Sequence, residues 1–220
     1  MDNHELKCQY NIAETCAASI SIEQLKELSE DKSKDIFDHS KTLTYGAIRG
    51  SDALRNNLAR LYSARTTEPL LAANILTTPG AIAANYLVAY TLVGPGDHVI
   101  CQHPTYQSLY DVPKQLGAEV HLWKAKPGNS WLPSIDELKA LVNPNTKLIV
   151  INNPNNPSGA VLKKSFLQQI IDVASEHNIT IMCDEVYVGA PTQNPFGSMQ
   201  LTFFFSFYTP SAPSSTQSPP

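Results

Sequence analysis

Residues 147–185 read KLIVINNPNNPSGAVLKKSFLQQIIDVASEHNITIMCDE, and the order of apolar and polar stretches in them decides the fold class. Two apolar runs, LIVI at 148–151 and ITIMC at 179–183, lack the alternation of a strand with one wet face. Each is therefore expected to be a strand covered on both faces. Between them residues 163–177 are expected to form a helix. Strand, helix and strand make a β-α-β unit, and repetition of such units calls for a parallel sheet.

The same alternation extends upstream. The turn Gly94-Pro95-Gly96-Asp97 precedes a strand expected around 98–101. A helix follows over about 106–116, and Gly117 is its natural C-terminal cap. A strand at 119–124 and a short helix opened by Pro133-Ser134 lead to the quoted stretch. Further back, Ile75 and Leu76 pass through Thr77-Thr78-Pro79-Gly80 into a helical run over 81–93. Ser51 opens a helix through Leu54, Leu58 and Leu61, with Gly46 and Gly50 bracketing the loop before it. Ser21 is a plausible N-cap for a helix over 21–33, with Ile22, Leu25 and Leu28 at helical spacing. No internal repeat interrupts the pattern, and the expected class is α/β.

Composition narrows the function. The chain has 220 residues, 42% of them hydrophobic, which is enough for a substantial core. A net charge of -4 and a pI near 5.8 give no reason to expect nucleic acid or an anionic membrane as partner. The polar opening MDNHELKCQY is unlike a secretory signal, and the longest apolar run, 201–207, is far too short for a membrane span. Cysteines at 8, 16, 101 and 183 form no C-x-x-C pair, which favours free thiols in a reducing cytoplasm. Composition breaks after Glu185: the 35 residues from Val186 to Pro220 contain no Asp, Glu, Lys, Arg or His. They end TPSAPSSTQSPP, a Pro/Ser-rich low-complexity run with little capacity to pack. Two accounts stand: a natural disordered tail, or, preferred, a reading-frame or splicing change just past Tyr187 or Gly189.

Four stretches could carry chemistry. Asn153-Pro154-Asn155-Asn156-Pro157-Ser158-Gly159 follows a buried strand, where ligands of open parallel sheets bind, though such residues also make ordinary turns. Cys183-Asp184-Glu185-Val186-Tyr187 ends the next strand; its carboxylate could meet a cationic ligand group, or simply cap a helix. Thr78-Pro79-Gly80-Ala81-Ile82 is a strand-to-helix turn whose first free N–H groups could cradle a phosphate, although one glycine is weak support. His103-Pro104-Thr105-Tyr106 puts an aromatic ring at the same sheet edge, or in a core.

In this order the stretches gain meaning. N-P-x-N-P-[ST]-G, followed about 25 residues later by D-E-x-Y, resembles the class I/II aminotransferases, enzymes of pyridoxal phosphate (PLP) fold type I. Tyr45-Gly46, Gly50 and Leu54-Arg55 are similar to that family's Y-x-x-x-x-G-x-x-x-L-R segment, and the resemblance covers about residues 10–189. It implies a three-layer α/β/α PLP-transferase large domain with a mainly parallel sheet, here incomplete, over 46–189. Residues 1–45 would be an N-terminal arm and part of a small domain, and 190–220 a disordered tail.

By the resemblance, Asp184 would pair with the pyridine nitrogen and keep it protonated. Asn156 and Tyr187 would hydrogen-bond the ring 3-oxygen, and Tyr106 would stack on the ring face. Backbone N–H groups of Ala81 and Ile82 would take the phosphate. Tyr45 would reach a partner subunit's phosphate, making the active form a homodimer. Substrates would be an amino acid and a 2-oxo acid.

The family's Schiff-base lysine lies tens of residues beyond D-E-x-Y, but here the last lysine is Lys164 and the last arginine Arg65. The chain is thus expected to be carboxyl-terminally truncated, inactive alone, and left with an uncovered apolar sheet edge. A PLP lyase of the same fold and a non-catalytic remnant remain alternatives.

Overall fold

The computed structural model describes residues 7, 9–10, 20–33, 35–63 and 69–187, together with the backbone of 205–208. The chain divides into two compact units, Met1–Ile48 and Arg49–Pro220.

Among its described residues the first unit holds one helix, α1 (Ile22–Glu27), opened by a reciprocal cap. The Gln24 N–H donates to Ser21 Oγ at 3.1 Å, and the Ser21 N–H donates to Gln24 Oε1 at 2.7 Å. The helix stops well short of the expected residue 33. Its apolar positions Ile22, Leu25 and Leu28 are all exposed, so no packing rewards extension. Beyond it, the Asp31 carboxylate accepts from the Ser33 N–H at 3.0 Å, a local bond that competes with helix.

In the second unit, β1 (His98–His103), β2 (Glu119–Lys124), β3 (Thr146–Asn152) and β4 (Thr180–Asp184) form a parallel sheet in the order β2-β1-β3-β4. The helices are α2 (Asp52–Ser63), α3 (Ala81–Leu92), α4 (Ser108–Gln115), α5 (Ile135–Leu141) and α6 (Lys164–Glu176). Short 3₁₀ turns lie at Ala72–Asn74 and Pro127–Asn129.

The two sides of the apolar strands explain their continuous hydrophobicity. Val99, Cys101, Leu148, Val150 and Met182 face a core shared with Ala89 of α3 and Leu109 of α4. Ile100, Ile149, Ile151 and Ile181 face the other core, with Leu138 of α5 and Ile170, Val173 and Ala174 of α6. The result is three layers, helices on both faces of the sheet, as the α/β reading expected. Each fully buried aliphatic side chain contributes on the order of 1.5–3 kcal/mol. Trp123 anchors the second core: it is fully buried, stacks on Phe166 with ring centroids 6.2 Å apart, and donates from Nε1 to the Ser134 carbonyl at 2.7 Å.

The edge of β4 differs from expectation. It is paired antiparallel to β5 (Phe205–Tyr208), with Asp184 opposite Phe205 and Ile181 opposite Tyr208. A run rich in Phe and Tyr has strand propensity, and pairing it satisfies the open ladder that β4 would otherwise present. The tail expected to be structureless over 190–220 therefore contributes this strand; its other residues lie outside the described ones.

At the amino ends of the strands, the His98 ring is fully buried. Its Nδ1 lies 2.7 Å from Thr146 Oγ1 and its Nε2 lies 2.7 Å from His121 Nδ1. Glu119 stands 3.8 Å from His121. Burial, helped by the neighbouring His121, pushes the His98 imidazole below its usual value, while Glu119 pulls weakly the other way.

Candidate functional site

At the carboxyl ends of the strands the sequence turns from apolar to amide and acid. The register of β3 and β4 sets Asn152 beside Asp184, and β1 lies on the far side of β3. Asp184 is only 4% exposed. Its Oδ1 accepts from the Val186 N–H at 3.0 Å and its Oδ2 from Asn85 Nδ2 at 3.1 Å. Burial raises its carboxyl above the usual carboxylate range; the hydrogen bonds from Val186 and Asn85 oppose that rise without cancelling it.

The loops around this acid are tied by neutral groups. Asn152 Nδ2 and the Asn153 N–H both donate to the Asp184 carbonyl, each at 2.9 Å. Asn152 Oδ1 accepts from the Asn156 N–H at 2.6 Å, and the Asn152 N–H donates to Gln102 Oε1 at 3.1 Å. Asn155 Nδ2 donates to the Pro104 carbonyl at 3.1 Å, joining the loop after β3 to the loop after β1. Asn155 Oδ1 also accepts from the Ser158 hydroxyl at 2.6 Å. The His103–Pro104, Asn153–Pro154 and Asn156–Pro157 peptide bonds are cis.

These loops enclose a pocket of about 300 Å³. One wall is the start of α3: Gly80, at φ +87°, is its N-cap, and no side chain caps it. A side chain at that backbone angle is strained, which is why glycine suits the bend. The uncapped first turn, with Ala81 and Ile82 on the wall, presents N–H groups and the positive end of a 12-residue helix. A second wall is Tyr106, 47% exposed and thus free to lie against a ligand. The floor is Asn156, Asp184 and Tyr187, with Asn156 Nδ2 3.4 Å from the Tyr187 hydroxyl.

Six of the seven residues expected from sequence thus border one pocket: Ala81, Ile82, Tyr106, Asn156, Asp184 and Tyr187. Tyr45 belongs to the first unit, where it is fully exposed. Sequence reading missed Asn85 and Asn152, both buried and both on the pocket wall. The one local signal for Asn85 was an amide within the apolar run AIAANYLVAYTL. Among the described residues, no lysine or arginine lines the pocket. Lys163 and Lys164 are exposed at the start of α6.

The donor set suits a flat aromatic ligand with a cationic ring N–H, a ring oxygen and an anionic arm. A buried carboxylate without a cation beside it would gain most from the N–H. The amide and phenol pair suits the oxygen, and the open helix end suits the anion. Asn85 Oδ1, buried in the same pocket without a hydrogen-bond partner, marks the wall as incomplete without a ligand or water.

Comparison with known proteins agrees in kind. The family model described as aminotransferase class I and II matches residues 15–204. The aspartate aminotransferase of Sulfolobus acidocaldarius is 32% identical over 161 residues, 71% of this chain and 40% of that protein. Mouse tyrosine aminotransferase is 31% identical over 154 residues, 70% of this chain and 34% of the relative. Among solved structures, a PLP-dependent aminotransferase from Streptococcus suis is 47% identical with a TM-score of 0.64, covering 67% of this chain and 38% of that one. The Thermus thermophilus aspartate aminotransferase with maleate is 28% identical with a TM-score of 0.63, covering 66% and 38%. This chain spans 40% or less of the length of these relatives.

Proposed function

This chain belongs to the class I and II aminotransferase family, whose members are generally PLP-dependent, and from that premise we propose that its pocket binds pyridoxal 5′-phosphate. In the whole protein the reaction would be transfer of an amino group between an amino acid and a 2-oxo acid. The observation that carries the reading is the buried Asp184 carboxylate, which lines the pocket with only neutral donors around it.

Asp184 would accept the ring N–H and hold the proton there, since separating the pair would leave a charge buried alone. Asn156 and Tyr187 would hold the ring oxygen between an amide and a phenol, fixing the ring in its plane. Tyr106 would cover one face and exclude water from it. The first-turn N–H groups of α3 at Ala81 and Ile82 would bind the phosphate. When bound, the cofactor supplies an electron sink for the pair released as the substrate's Cα–H bond breaks.

Residues 46–189 would be part of the cofactor-binding large domain, and residues 1–45 an arm and part of a small domain. Tyr45 would serve a partner subunit's phosphate in a homodimer. A cytoplasmic setting suits the free, buried thiols of Cys101 and Cys183. Among the described residues no helix is long and apolar enough to cross a membrane.

The 220-residue polypeptide taken alone would bind PLP without turning over substrate, because it holds no lysine after Lys164 to anchor the cofactor. The test is equilibrium binding of PLP to the purified chain, followed by borohydride treatment and peptide mapping. Reversible, saturable binding with no stoichiometric pyridoxyl-lysine supports the reading. Absence of saturable binding, or one lysine labelled to completion, refutes it.

A further inference from the structure

The buried face of α3 consists of Asn85 and Ala89, one turn apart. Ala89 packs into the core with Val99 and Met182, which is what an inward position on an apolar helix normally does. Asn85 does not: 4% exposed, it gives one Nδ2 hydrogen to Asp184 Oδ2, 99 residues away, and leaves its Oδ1 buried without a partner. Packing alone would favour an apolar side chain here, because a half-satisfied buried amide is destabilising. The carboxylate it serves is held from two sides, Oδ2 by Asn85 and Oδ1 by the Val186 N–H. Two donors on different oxygens fix the plane of the carboxylate and leave one lone-pair direction on each oxygen open.

The neutrality of the donor matters as much as its position. A lysine or arginine at this place would neutralise Asp184 and repel a cationic ring N–H. An amide orients the acid and leaves its charge uncompensated. We propose that Asn85 is a positioning residue of the cofactor site, a neutral donor that aims the Asp184 carboxylate into the pocket while leaving its charge for the ligand. This inference rests on the proposed PLP reading and extends it to a pocket-wall residue that acts through Asp184.

The experiment measures PLP affinity of the 220-residue chain against pH for the wild type, Asp184→Asn, Asn85→Leu and Asn85→Ser. Asp184→Asn tests the underlying reading: it should lose at least about 30-fold in affinity and its acid limb. Asn85→Leu, which keeps the volume and removes the donor, should lose about tenfold and move the acid limb to higher pH. Asn85→Ser, with a hydroxyl and room for a bridging water, should recover most of that loss.

If Asp184→Asn binds like the wild type, the PLP reading fails. If Asp184→Asn loses affinity while Asn85→Leu keeps both affinity and acid limb, the role of Asn85 fails alone. A wild-type measurement guards against a variant that does not fold. In the ligand-free chain the side-chain amide signals of Asn85 should titrate with the midpoint of the Asp184 carboxyl carbon, and independent titration overturns the proposal.

Discussion

Replacing Asp184 by asparagine should strengthen the ligand-free fold and weaken cofactor binding at once. Burial raises the folded-state carboxyl above 3.8. As pH rises past 3.8 the unfolded chain therefore releases this proton before the folded one does, and stability falls until the folded carboxyl has also ionised. At pH 7.5 the wild type carries that full cost. An amide at 184 carries none, and it can be satisfied in place. Its oxygen would accept from the Val186 N–H, and its NH₂ would donate to Asn85 Oδ1 once the Asn85 amide turns over from the orientation in which its Nδ2 faces residue 184. The gain is on the order of 1 kcal/mol, or about 3 °C in Tm for a body of this size. The loss in PLP affinity is larger, about 2–5 kcal/mol, or about 30-fold to several thousand-fold, because it removes one partner of a buried charged pair. Urea unfolding of both proteins without cofactor at pH 7.5 and pH 4, paired with PLP titrations, measures both effects. The stability difference should shrink at pH 4 as the wild-type acid takes up its proton. A variant less stable than the wild type at pH 7.5, or one with unchanged PLP affinity, refutes the reasoning.

Three further outcomes are expected. Because burial holds His98 neutral in the fold, the unfolded chain takes up its proton first as pH drops through about 6.5, and stability should fall there by up to about 1.4 kcal/mol per pH unit. In His98→Gln, thermal melts between pH 7 and 5 should show a shallower slope; an unchanged slope assigns the effect elsewhere. Gly50→Ala should cost about 1–3 kcal/mol in urea unfolding, since Gly50 sits at φ +93° and a Cβ there would overlap the Thr77 side chain. An unchanged urea midpoint contradicts it. Trp123→Ala should cost about 3–5 kcal/mol by the same assay, for a fully buried indole with a satisfied N–H. A loss below about 1 kcal/mol would mean that the core is not packed as described.

What the sequence made legible follows from the range of the interactions involved. The sheet could be read because LIVI and ITIMC are covered on both sides, and the structure sends Leu148 and Val150 to one core and Ile149 and Ile151 to the other. Gly80, Asn156 and Asp184 could be placed near a ligand because each sits at a strand end or helix start that local sequence defines. Asn85, Asn152 and Gln102 could not. Their meaning lies in partners 99, 32 and 50 residues away, and in sequence they are only amides beside apolar runs. The expected length of α1 failed for a related reason: helical spacing of Ile22, Leu25 and Leu28 signals a face, and this face is exposed. The pairing of β5 with β4 is likewise a long-range event that a low-complexity context concealed.

The chemistry of the missed residues bears on how the site behaves with pH. Gln102, Asn152, Asn153 and Asn155 tie the ends of β1, β3 and β4 with amides and backbone groups that neither gain nor lose protons in the ordinary range. Within that frame Asp184 is the one carboxylate among the described residues that line the pocket. Between mildly acidic and neutral pH the frame should hold its shape while a single protein group changes charge. The acid limb of cofactor binding should then fit one proton on the protein, after allowance for the ligand's own titration, and should vanish in Asp184→Asn. A limb that needs two protein protons, or that survives the substitution, would mean that a second acid controls the pocket and that the amide frame is not the reason for its constancy.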